Sequence, residues 1–599
     1  MKITWVRRIC QVFFLLLFLW FCIVSTVGTA WWQLRGWPVN WFLQLNPLAA
    51  LGLILGTGSL HPGLEWAMLT IILTVILGRF FCGWVCPFGT LHQAIGWLGL
   101  RRATLTEKCL RHAFRPAQRI KYYLLAFLLA AAAMGLVGLA AGRLMENSPR
   151  LQTVQGLAAG SLQTGWLDPL AFMHRAVNLV LLPLADRGVQ ALWIGPRVYQ
   201  GAALIGGLFF AALLVNLWIP RFYCRYLCPL GALYGVLGRF ALWRIGKKQD
   251  ACSNCLQCEA DCEGACQPAG RIRSYDCVLC MNCLHSCPDD LIRFRTARSA
   301  SRECAAPDLT RRGVVASLLA GFMVAPLSRL TGRHDPRLIR PPGARPERDF
   351  LSRCIRCGQC MRICPTNILH PAIFEAGLEG FGSPVAKYSL GAGGCEYRCV
   401  ACTLLCPTGA IRPLSLDKKL GRGTYSGSGP VKMGTAFVDR GRCLPWAMNR
   451  PCIVCQENCP VSPKAIGIQE CFEPLSERLR PVARSDQLTL YFEEPFQPLP
   501  APASDDLYCR IAGDTDTRPR RIVEGAPSQW SIDPNDPWKT PPPKGSEAEL
   551  LVRLQRPVVD PALCTGCGVC ENVCPLTSLR AIRVTADGES RDPQAGFLL

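Results

Sequence analysis

The sequence predicts two kinds of fold in one chain: an α-helical membrane bundle of about five spans, followed by small α+β domains built around cysteine-rich loops. Half of the 599 residues are hydrophobic, and the long apolar stretches fall within the first 330 residues. Thirty-five cysteines are present, and they recur in tight runs. Disulfide frameworks belong to short secreted chains, whereas cysteines two residues apart gather readily around a metal. We therefore expect membrane spans first and cysteine-bound metal centres after them.

Five apolar stretches approach the length of about 20 residues that a membrane span needs. They are residues 10–30, 64–81, 122–142, 198–219 and 313–330. A secretory signal is the alternative for the first stretch, but its apolar run is long and further spans follow it. Residues 48–58 are too short to span and are expected to be re-entrant. Residues 166–184 carry Asp168, His174 and Arg175, which places them at the membrane interface.

Basic residues predict the orientation of these spans. Lys2, Arg7 and Arg8 precede the first span and seven Lys or Arg residues follow the second, whereas the first opposite loop holds only Arg35. Because cytoplasmic loops are enriched in Lys and Arg, we expect a multi-pass protein of the bacterial inner membrane with a cytoplasmic N-terminus. Everything after about residue 332 then lies in the periplasm. The formal net charge of +22 has no accompanying nucleic-acid-binding motif, so no nucleic acid partner is expected.

The fifth stretch begins with Thr310-Arg311-Arg312 and has two interpretations. The arginines are either ordinary positive-inside residues before a span or part of a twin-arginine export signal, which suits domains that receive their metal before crossing. Both alternatives place the C-terminal domain outside the cytoplasm.

An internal repeat stands at the ends of two predicted spans. Residues 79–91 read RFFCGWVCPFGTL and residues 221–233 read RFYCRYLCPLGAL. The spacing i, i+4 puts both thiols of each copy on one helix face, and the following proline ends that helix or opens a new one. These cysteines are either small apolar fillers or four thiols that meet to bind a metal or carry out redox chemistry. They are Cys82, Cys86, Cys224 and Cys228.

Three runs follow the pattern C-x2-C-x2-C-x3-C-P, which is the bacterial ferredoxin arrangement for [4Fe–4S] clusters. Three cysteines of such a run bind irons of one cluster, and the fourth commonly binds the partner cluster. Zinc is the competing metal for any set of four cysteine ligands, but three complete ferredoxin runs argue against zinc. The runs are Cys277, Cys280, Cys283 and Cys287; Cys354, Cys357, Cys360 and Cys364; and Cys564, Cys567, Cys570 and Cys574.

Three further runs are variants of the same pattern. The first begins correctly, but its fourth ligand is either Cys262 or Cys266; the second has a stretched first step; and the third has one cysteine set apart from the others. They are Cys252, Cys255 and Cys258 with Cys262 or Cys266; Cys395, Cys399, Cys402 and Cys406; and Cys443, Cys452, Cys455 and Cys459. About six [4Fe–4S] clusters are therefore expected, two before the fifth span and four after it.

The chain divides into four predicted parts. Residues 1–245 form the transmembrane domain with the two repeats, and residues 246–305 form a cytoplasmic two-cluster ferredoxin domain. Residues 306–332 hold the fifth span, and residues 333–599 form a periplasmic four-cluster domain. A Pro-rich insertion at about 495–545 is expected to be a wrapped surface loop rather than a domain.

Several other cofactor signatures are missing from the sequence. No Cys-x-x-Cys-His motif occurs and only seven histidines are present, so no haem is expected. No P-loop or dinucleotide fingerprint occurs, and no flavin is expected. Catalytic residues are not identifiable from the sequence.

At these residues the chain resembles a known family. The two C-x3-C-P repeats followed by a two-cluster ferredoxin resemble the NapH-type membrane ferredoxins of periplasmic nitrate reduction. The segment from Arg340, RPPGARPERDFLSRCIRCGQCMRICP, resembles the four-cluster NapG-type periplasmic ferredoxin. The chain is thus similar to a fusion of the two. The resemblance implies a quinol dehydrogenase component that passes electrons from membrane quinol to a periplasmic reductase of the nitrate-reductase type or to cytochrome subunits.

Related proteins leave a second function open. An assembly factor for copper oxidases and a regulator of nitrous-oxide reduction share the repeats and the ferredoxin core, so an accessory role in maturing or regulating a respiratory metalloenzyme is the alternative. The regulator carries a flavin-binding domain before its first span, and the assembly factor ends in a β-sandwich rather than in cluster runs. Because the hydrocarbon core is about 30 Å thick and no ligands are identified midway, the route of electrons across it also stays open.

Overall fold

In the computed structural model the chain forms two compact units. The helical unit comprises Met1–Lys387 and Cys399–Gly429, and the sheet unit comprises Tyr388–Arg398 and Pro430–Leu599. The residues predicted as one four-cluster domain are therefore divided between the two units. The structure describes residues 3–26, 37–144, 164–189, 197–249, 252–300, 303–330, 335, 337–475, 479–495, 506–513 and 518–591. Arg35, on which part of the predicted orientation rests, lies outside these residues.

Helices account for most of the first 245 residues, as the hydrophobic pattern predicts. The longer ones in the helical unit are Ile3–Val24, Pro47–Thr57, Ala67–Leu77, Pro87–Leu100, Leu105–His112, Ile120–Leu144, Pro169–Ala176, Leu182–Val189, Ala202–Leu214, Pro229–Leu237 and Arg311–Leu330. Shorter helices are Trp41–Gln44, Phe80–Trp84, Thr164–Leu167 and Phe222–Tyr226, and a π-helical turn covers Val177–Leu181. The helices are local consequences of the sequence, because several begin at a capping side chain followed by proline.

Two helical stretches within the described residues are long and apolar enough to cross a membrane. They are Ile3–Val24 and Leu105–Gly138. Apolar helices also form at Pro47–Thr57, Leu64–Leu77 and Ala202–Leu217, but these are shorter. At 1.5 Å per residue a helix of 14 residues covers about 21 Å, less than the hydrocarbon thickness. The predicted count of five spans is therefore not confirmed.

The segment predicted at the membrane interface is instead buried inside the helical unit. Every residue of the helix Pro169–Ala176 is buried, including His174 and Arg175. Asp168 caps this helix by accepting hydrogen bonds from two backbone amides, and the Asn46 amide donates to its carboxylate. Asp168 thus has internal hydrogen-bond partners, and Arg175 Nη2 donates to the Gly165 carbonyl at 2.9 Å.

Short strands and helical turns surround the cysteine runs, in keeping with the predicted α+β fold of the cluster domains. In the helical unit, Arg244–Lys247 pairs antiparallel with Ile292–Arg295, and Leu369–Pro371 pairs with Pro384–Ala386. In the sheet unit, Thr435–Val438 pairs with Ile582–Thr585. The helical turns are Gln257–Ala260, Cys283–Ser286, Glu347–Arg353, Gln359–Ile363, Gly377–Gly380, Ala401–Leu404, Leu416–Leu420, Leu444–Ala447, Val454–Glu457 and Val569–Val573.

The region between Cys459 and Cys564 is not a wrapped loop, contrary to the prediction. It forms a seven-stranded antiparallel sheet whose strands, in spatial order, are Ile466–Pro474, Glu547–Val559, Arg480–Ser485, Thr489–Phe492, Gln529–Ile532, Arg520–Ala526 and Leu507–Ile511. The last strand also pairs with Glu547–Val559, so six of the strands close on themselves. Trp530 and Trp538 are buried in the core of this sheet. The prolines lie mostly in its connections, while short alternating strands such as Leu507–Ile511 carry the core residues.

Candidate metal-cluster sites

The cysteine runs share an unusual backbone conformation. In every run of the form C-x2-C-x2-C, the residues immediately before and after the second cysteine have a left-handed φ of 50° to 79°. Such a φ is strained for a residue other than glycine, at a cost of about 1–3 kcal/mol each, and persists where the surroundings demand it. The conformation curls the loop so that three cysteines face one point. The residues are Asn254 and Leu256, Leu279 and Met281, Arg356 and Gly358, and Gly566 and Gly568.

Two four-cysteine cavities lie in the helical unit, each completed by the partner run. One is lined by Cys252, Cys255 and Cys258 together with Cys287 of the following run. The other is lined by Cys354, Cys357 and Cys360 together with Cys406. The fourth cysteine of a run thus reaches the partner site, as the ferredoxin pattern predicts.

The second site of the first ferredoxin pair contains Cys277, Cys280 and Cys283. Cys262 interacts electrostatically with both Cys280 and Cys283, while the Cys266 thiol lies beside those of Cys262 and Cys277. The Cys266 amide also donates to Cys262 Sγ at 3.2 Å. Both candidate fourth ligands therefore lie at the site. Cys262 interacts with two of its three cysteines, Cys280 and Cys283, whereas Cys266 lies beside Cys277.

The sheet unit holds two further four-cysteine cavities with the same exchange. Cys564, Cys567 and Cys570 line one cavity with Cys459. Cys443, Cys452 and Cys455 line the other with Cys574. Cys443, which stands apart in the sequence, therefore lines the same cavity as the next two cysteines of its run. Cys459 and Cys574, the fourth cysteines of the two runs, each line the cavity of the other run.

The remaining predicted run has members in both units of the chain. Cys399, Cys402 and Cys406 belong to the helical unit, and Cys395 belongs to the sheet unit. Within the sheet unit the Cys395 amide donates to the Cys567 carbonyl at 2.7 Å. The cluster expected from the run Cys395, Cys399, Cys402 and Cys406, and with it the count of six, stays a prediction.

The cavities fit [4Fe–4S] clusters. Four cysteines surround each cavity, and backbone amides point at the sulfurs, since Ile411 N lies 3.4 Å from Cys406 Sγ and Ala436 N lies 3.4 Å from Cys564 Sγ. Burial raises the pKa of Cys357 to about 12, so that thiol needs a metal to become a thiolate at neutral pH. Among the described residues, no three His, Cys, Asp or Glu side chains are arranged to hold a single ion. A bound cluster supplies a one-electron redox centre.

The two C-x3-C-P repeats meet in the helical unit. The Cys86 thiol interacts electrostatically with those of Cys82 and Cys224, and the Cys228 thiol interacts with all three of the others. Cys86 and Cys228 each cap a helix. The Gly89 amide donates to Cys86 Sγ at 3.4 Å, and the Gly231 amide donates to Cys228 Sγ at 3.1 Å. The structure thus brings all four predicted cysteines together.

The leading arginine of each repeat lies against the other repeat and binds the first ferredoxin domain. Arg79 Nη2 lies 2.9 Å from the position that a Cβ would take on Gly231. Arg221 Nη2 pairs with Glu263 at 2.8 Å, and Arg79 Nη1 lies 3.9 Å from the Asp276 carboxylate. Both carboxylates neighbour cluster cysteines in the sequence.

Glu263 also binds the first helix. Arg7 Nη2 donates to its carboxylate at 2.7 Å, and the Asn282 amide donates to the same oxygen at 3.1 Å. Burial by itself would raise the pKa of Glu263, but Arg7 and Arg221 outweigh it and lower that pKa to about 2. The carboxylate is therefore ionised and holds the repeat, the first helix and the ferredoxin domain together.

The other end of the first helix contacts the second pair of cluster runs. Arg362, which lies between Cys360 and Cys364, donates to Thr26 Oγ1 at 3.2 Å. His174 Nδ1 lies 3.5 Å from Gln359 Nε2 and 3.8 Å from Cys22 Sγ. Fifteen residues separate Arg7 from Cys22, or about 22 Å along the helix. Two cluster-binding regions therefore lie at opposite ends of one apolar helix.

Two histidines are buried where the sequence reasoning did not place them: His92 was not singled out, and His174 was expected at the membrane interface. His92 follows the first repeat and is enclosed by Phe88 and Tyr223, with ring centroids 4.3 and 6.0 Å away. His174 packs against Phe18 at 4.6 Å. The position of His92 six residues after Cys86 was the available signal, whereas nothing in the sequence places His174 beside the first span.

Comparisons with known proteins agree with these cavities. A family described as "4Fe-4S binding domain" matches residues 61–105 and 201–248, which contain the two repeats. Two more families with that description match residues 350–370 and 556–581. The ferredoxin-type protein MauM of methylamine utilization from Paracoccus denitrificans is 34% identical over 181 residues, or 30% of this chain and 73% of MauM.

The chain belongs to the family of ferredoxin-type proteins that includes MauM and NapH.

The ferredoxin-type protein NapH of Escherichia coli is 27% identical over 318 residues, or 49% of this chain and 89% of NapH. YccM of Escherichia coli, whose name assigns it to electron transport, is 26% identical over 278 residues, or 45% of this chain and 66% of YccM. No solved structure matches the chain. This is therefore a ferredoxin-type electron-transport protein with 4Fe-4S binding domains.

Proposed function

We propose that this ferredoxin-type protein carries electrons across the bacterial inner membrane, from quinol to a periplasmic reductase of the nitrate-reductase type. Oxidation of one quinol releases two electrons and two protons and leaves a quinone. Each [4Fe–4S] cluster accepts one electron at a time, so each quinol supplies two successive transfers to the reductase. The C-terminal clusters act as the NapG-type part and the repeats with the first ferredoxin domain as the NapH-type part.

The observation that carries this proposal is the placement of cluster sites at both ends of the helix Ile3–Val24. Arg7 at one end binds Glu263 of the first ferredoxin domain, and Thr26 beyond the other end binds Arg362 of the second. The helix Ile120–Leu144 supports the same arrangement, because Lys121 Nζ donates to Asp276 at 2.6 Å at its beginning. A membrane around these helices would separate the two domains.

Exposed apolar side chains support a bundle of five spans. Large hydrophobic residues on all five predicted spans face outwards, for example Leu16, Ile72, Leu208 and Leu319, which are 51% to 60% exposed. Soluble proteins rarely expose extended apolar patches, whereas lipid-facing helices do so by necessity. The short helices that carry the repeats, Phe80–Trp84 and Phe222–Tyr226, follow two of these helices directly in the chain.

The fifth span is supported by its packing. Tyr123 Oη and Thr310 Oγ1 lie 3.1 Å apart near the starts of the helices Ile120–Leu144 and Arg311–Leu330. Further along, a Cβ on Gly321 would meet the Phe127 carbonyl at 2.3 Å. The two helices therefore run side by side in the same direction, from the end where the first ferredoxin domain lies towards the other end.

The proposal is tested by adding a reduced quinol to proteoliposomes that contain the purified protein and following the visible absorbance of the clusters. Quinol should bleach the clusters, and a periplasmic reductase or its cytochrome subunit should restore the absorbance. Clusters that dithionite bleaches but quinol leaves unchanged would contradict the proposal. That result, together with loss of cofactor from a metalloenzyme in cells that lack the protein, would favour the accessory role instead.

A further inference from the structure

One loop of the helical unit exposes its apolar side chains to the outside. It comprises residues 373–381, which read IFEAGLEGF, and it connects the paired strands Leu369–Pro371 and Pro384–Ala386. We call residues 373–381 the apolar loop. Phe374 is 76% exposed and Leu378 is 65% exposed, and among the described residues no other large hydrophobic side chain is more exposed than these two. The other seven residues of the loop are partly or fully buried.

The two charged residues of the apolar loop, Glu375 and Glu379, face inwards. The backbone amides of Ile373 and Phe374 donate to Glu375 Oε2 at 3.0 and 3.1 Å. Lys387 Nζ pairs with the same carboxylate at 2.8 Å. Glu379 is buried. A loop in water normally exposes its charges and buries its aromatic side chains, so the reversed arrangement indicates apolar surroundings.

The apolar loop lies beside a helix that also faces outwards with apolar side chains. The helical turn Gly377–Gly380 of the loop packs against the helix Arg311–Leu330. Leu319 and Leu327 of that helix are 60% and 54% exposed. The same helix packs along Ile120–Leu144, which overlaps a stretch long and apolar enough to cross a membrane. The loop therefore adds exposed apolar side chains next to the proposed membrane bundle.

The end of the apolar loop is fixed on the helical unit by an aromatic stack. Phe381 stacks on Trp166 with ring centroids 4.9 Å apart. A Cβ added at the next residue, Gly382, would lie 3.8 Å from the Trp166 ring. The loop is therefore in close contact with the bundle at Phe381, while Phe374 and Leu378 stay exposed.

We propose that the apolar loop inserts into the periplasmic leaflet of the membrane, with Phe374 and Leu378 at the boundary between headgroups and hydrocarbon. The inference deepens the proposed function and rests on its placement of the helices in the inner membrane. Apolar groups at this boundary lie about 5–10 Å deep. Lipid accounts for both sides of the arrangement, because hydrocarbon accommodates the two apolar side chains and penalises exposed carboxylates. A docked protein would instead meet a polar rim, which the exposed residues of the loop do not supply.

The apolar loop is hydrogen-bonded to the Cys354 site. Arg356 lies between Cys354 and Cys357 in the sequence and is 1% exposed. Its Nε donates to the Phe381 carbonyl at 3.0 Å, and its Nη2 donates to the Glu379 carbonyl at 2.5 Å. Because the loop and the cluster-binding run share this buried arginine, insertion of the loop holds the Cys354 site at the membrane surface, close to the membrane quinol.

Photo-crosslinking of the full chain in proteoliposomes tests the insertion. The photoreactive residue p-benzoylphenylalanine replaces Phe374, the protein is reconstituted into vesicles of phosphatidylcholine and phosphatidylglycerol, and the adducts formed on irradiation are identified by mass spectrometry. Lipid adducts should form at Phe374. They should also form at Leu16, which is 60% exposed on the helix Ile3–Val24 and serves as the positive control. The matched negative control is Phe437, which is 40% exposed in the sheet unit and should give no lipid adduct.

The controls separate this inference from the proposed function. Lipid adducts at Leu16 but not at Phe374 would overturn the inference and leave the placement of the helices intact. Adducts of Phe374 to protein alone would also overturn it, because a partner or a second copy of the chain would then cover the loop. No lipid adduct at Leu16 would overturn the membrane placement and the inference with it. Equal lipid labelling at Phe374 and Phe437 would likewise refute insertion of the loop.

Discussion

Replacing Glu263 by Ala should destabilise the helical unit more than any single surface change. The Glu263 carboxylate pairs with Arg7 at 2.7 Å and with Arg221 at 2.8 Å, and both arginine side chains are 1% exposed. Removing one partner of a buried ion pair leaves the other charge uncompensated, which lowers the free energy of unfolding by about 3–5 kcal/mol. Here two arginines lose the same partner, so we expect the upper part of that range.

The measurement is the loss of cluster absorbance during heating or urea treatment of the detergent-solubilised protein. Glu263→Ala should shift the midpoint strongly downwards, and Glu263→Gln should fall between it and the wild type, because the amide keeps hydrogen bonds but no charge. The matched control is Asp308→Asn, since the Asp308 side chain is 79% exposed in its pair with Arg119 and such surface pairs contribute about 1 kcal/mol or less. Equal midpoints for Glu263→Ala and Asp308→Asn would refute the reasoning.

Three further predictions concern topology and packing. Reporter fusions after residue 300 and after residue 599 should report opposite compartments, and the same compartment for both would mean that the helix Arg311–Leu330 does not cross. Replacing Arg311 and Arg312 by Lys keeps the charge but should trap the C-terminal clusters in the cytoplasm if the twin-arginine interpretation holds; normal export would leave the positive-inside interpretation. Gly83→Ala should cost about 1–3 kcal/mol by overpacking against Val278, measured by the same cluster-loss assay. Gly207→Ala, where a Cβ meets nothing within 4 Å, should be neutral or stabilising, and equal effects of the two changes would contradict the close approach.

Much of each cluster site was predictable because its ligands are local. The three leading cysteines of a run lie within seven residues, and the strained φ angles at positions such as Arg356 and Leu279 follow from the need to face one point. The exchange of fourth cysteines was predictable in kind from the ferredoxin pattern. The choice between Cys262 and Cys266 was not, because their thiols lie beside one another and either reaches the second site.

The sheet between Cys459 and Cys564 shows where sequence reasoning fails. Its strands are mostly four to nine residues long, and prolines and charges interrupt the hydrophobic alternation. Sheet formation depends on pairing between distant strands, such as Leu507–Ile511 with Glu547–Val559, and no local pattern encodes that partner.

The sequence by itself determined the chemistry: cysteine runs for iron–sulfur clusters, apolar helices, and a duplicated C-x3-C-P motif. These features depend on spacing within a few residues, and local geometry converts such spacing directly into loops and helix faces. Only the tertiary structure decided that the four repeat cysteines meet, that Glu263 joins Arg7 to Arg221, and that Phe381 stacks on Trp166. These contacts join residues that are many tens to hundreds of positions apart. They arise from the packing of whole helices against one another, which a single sequence does not specify residue by residue.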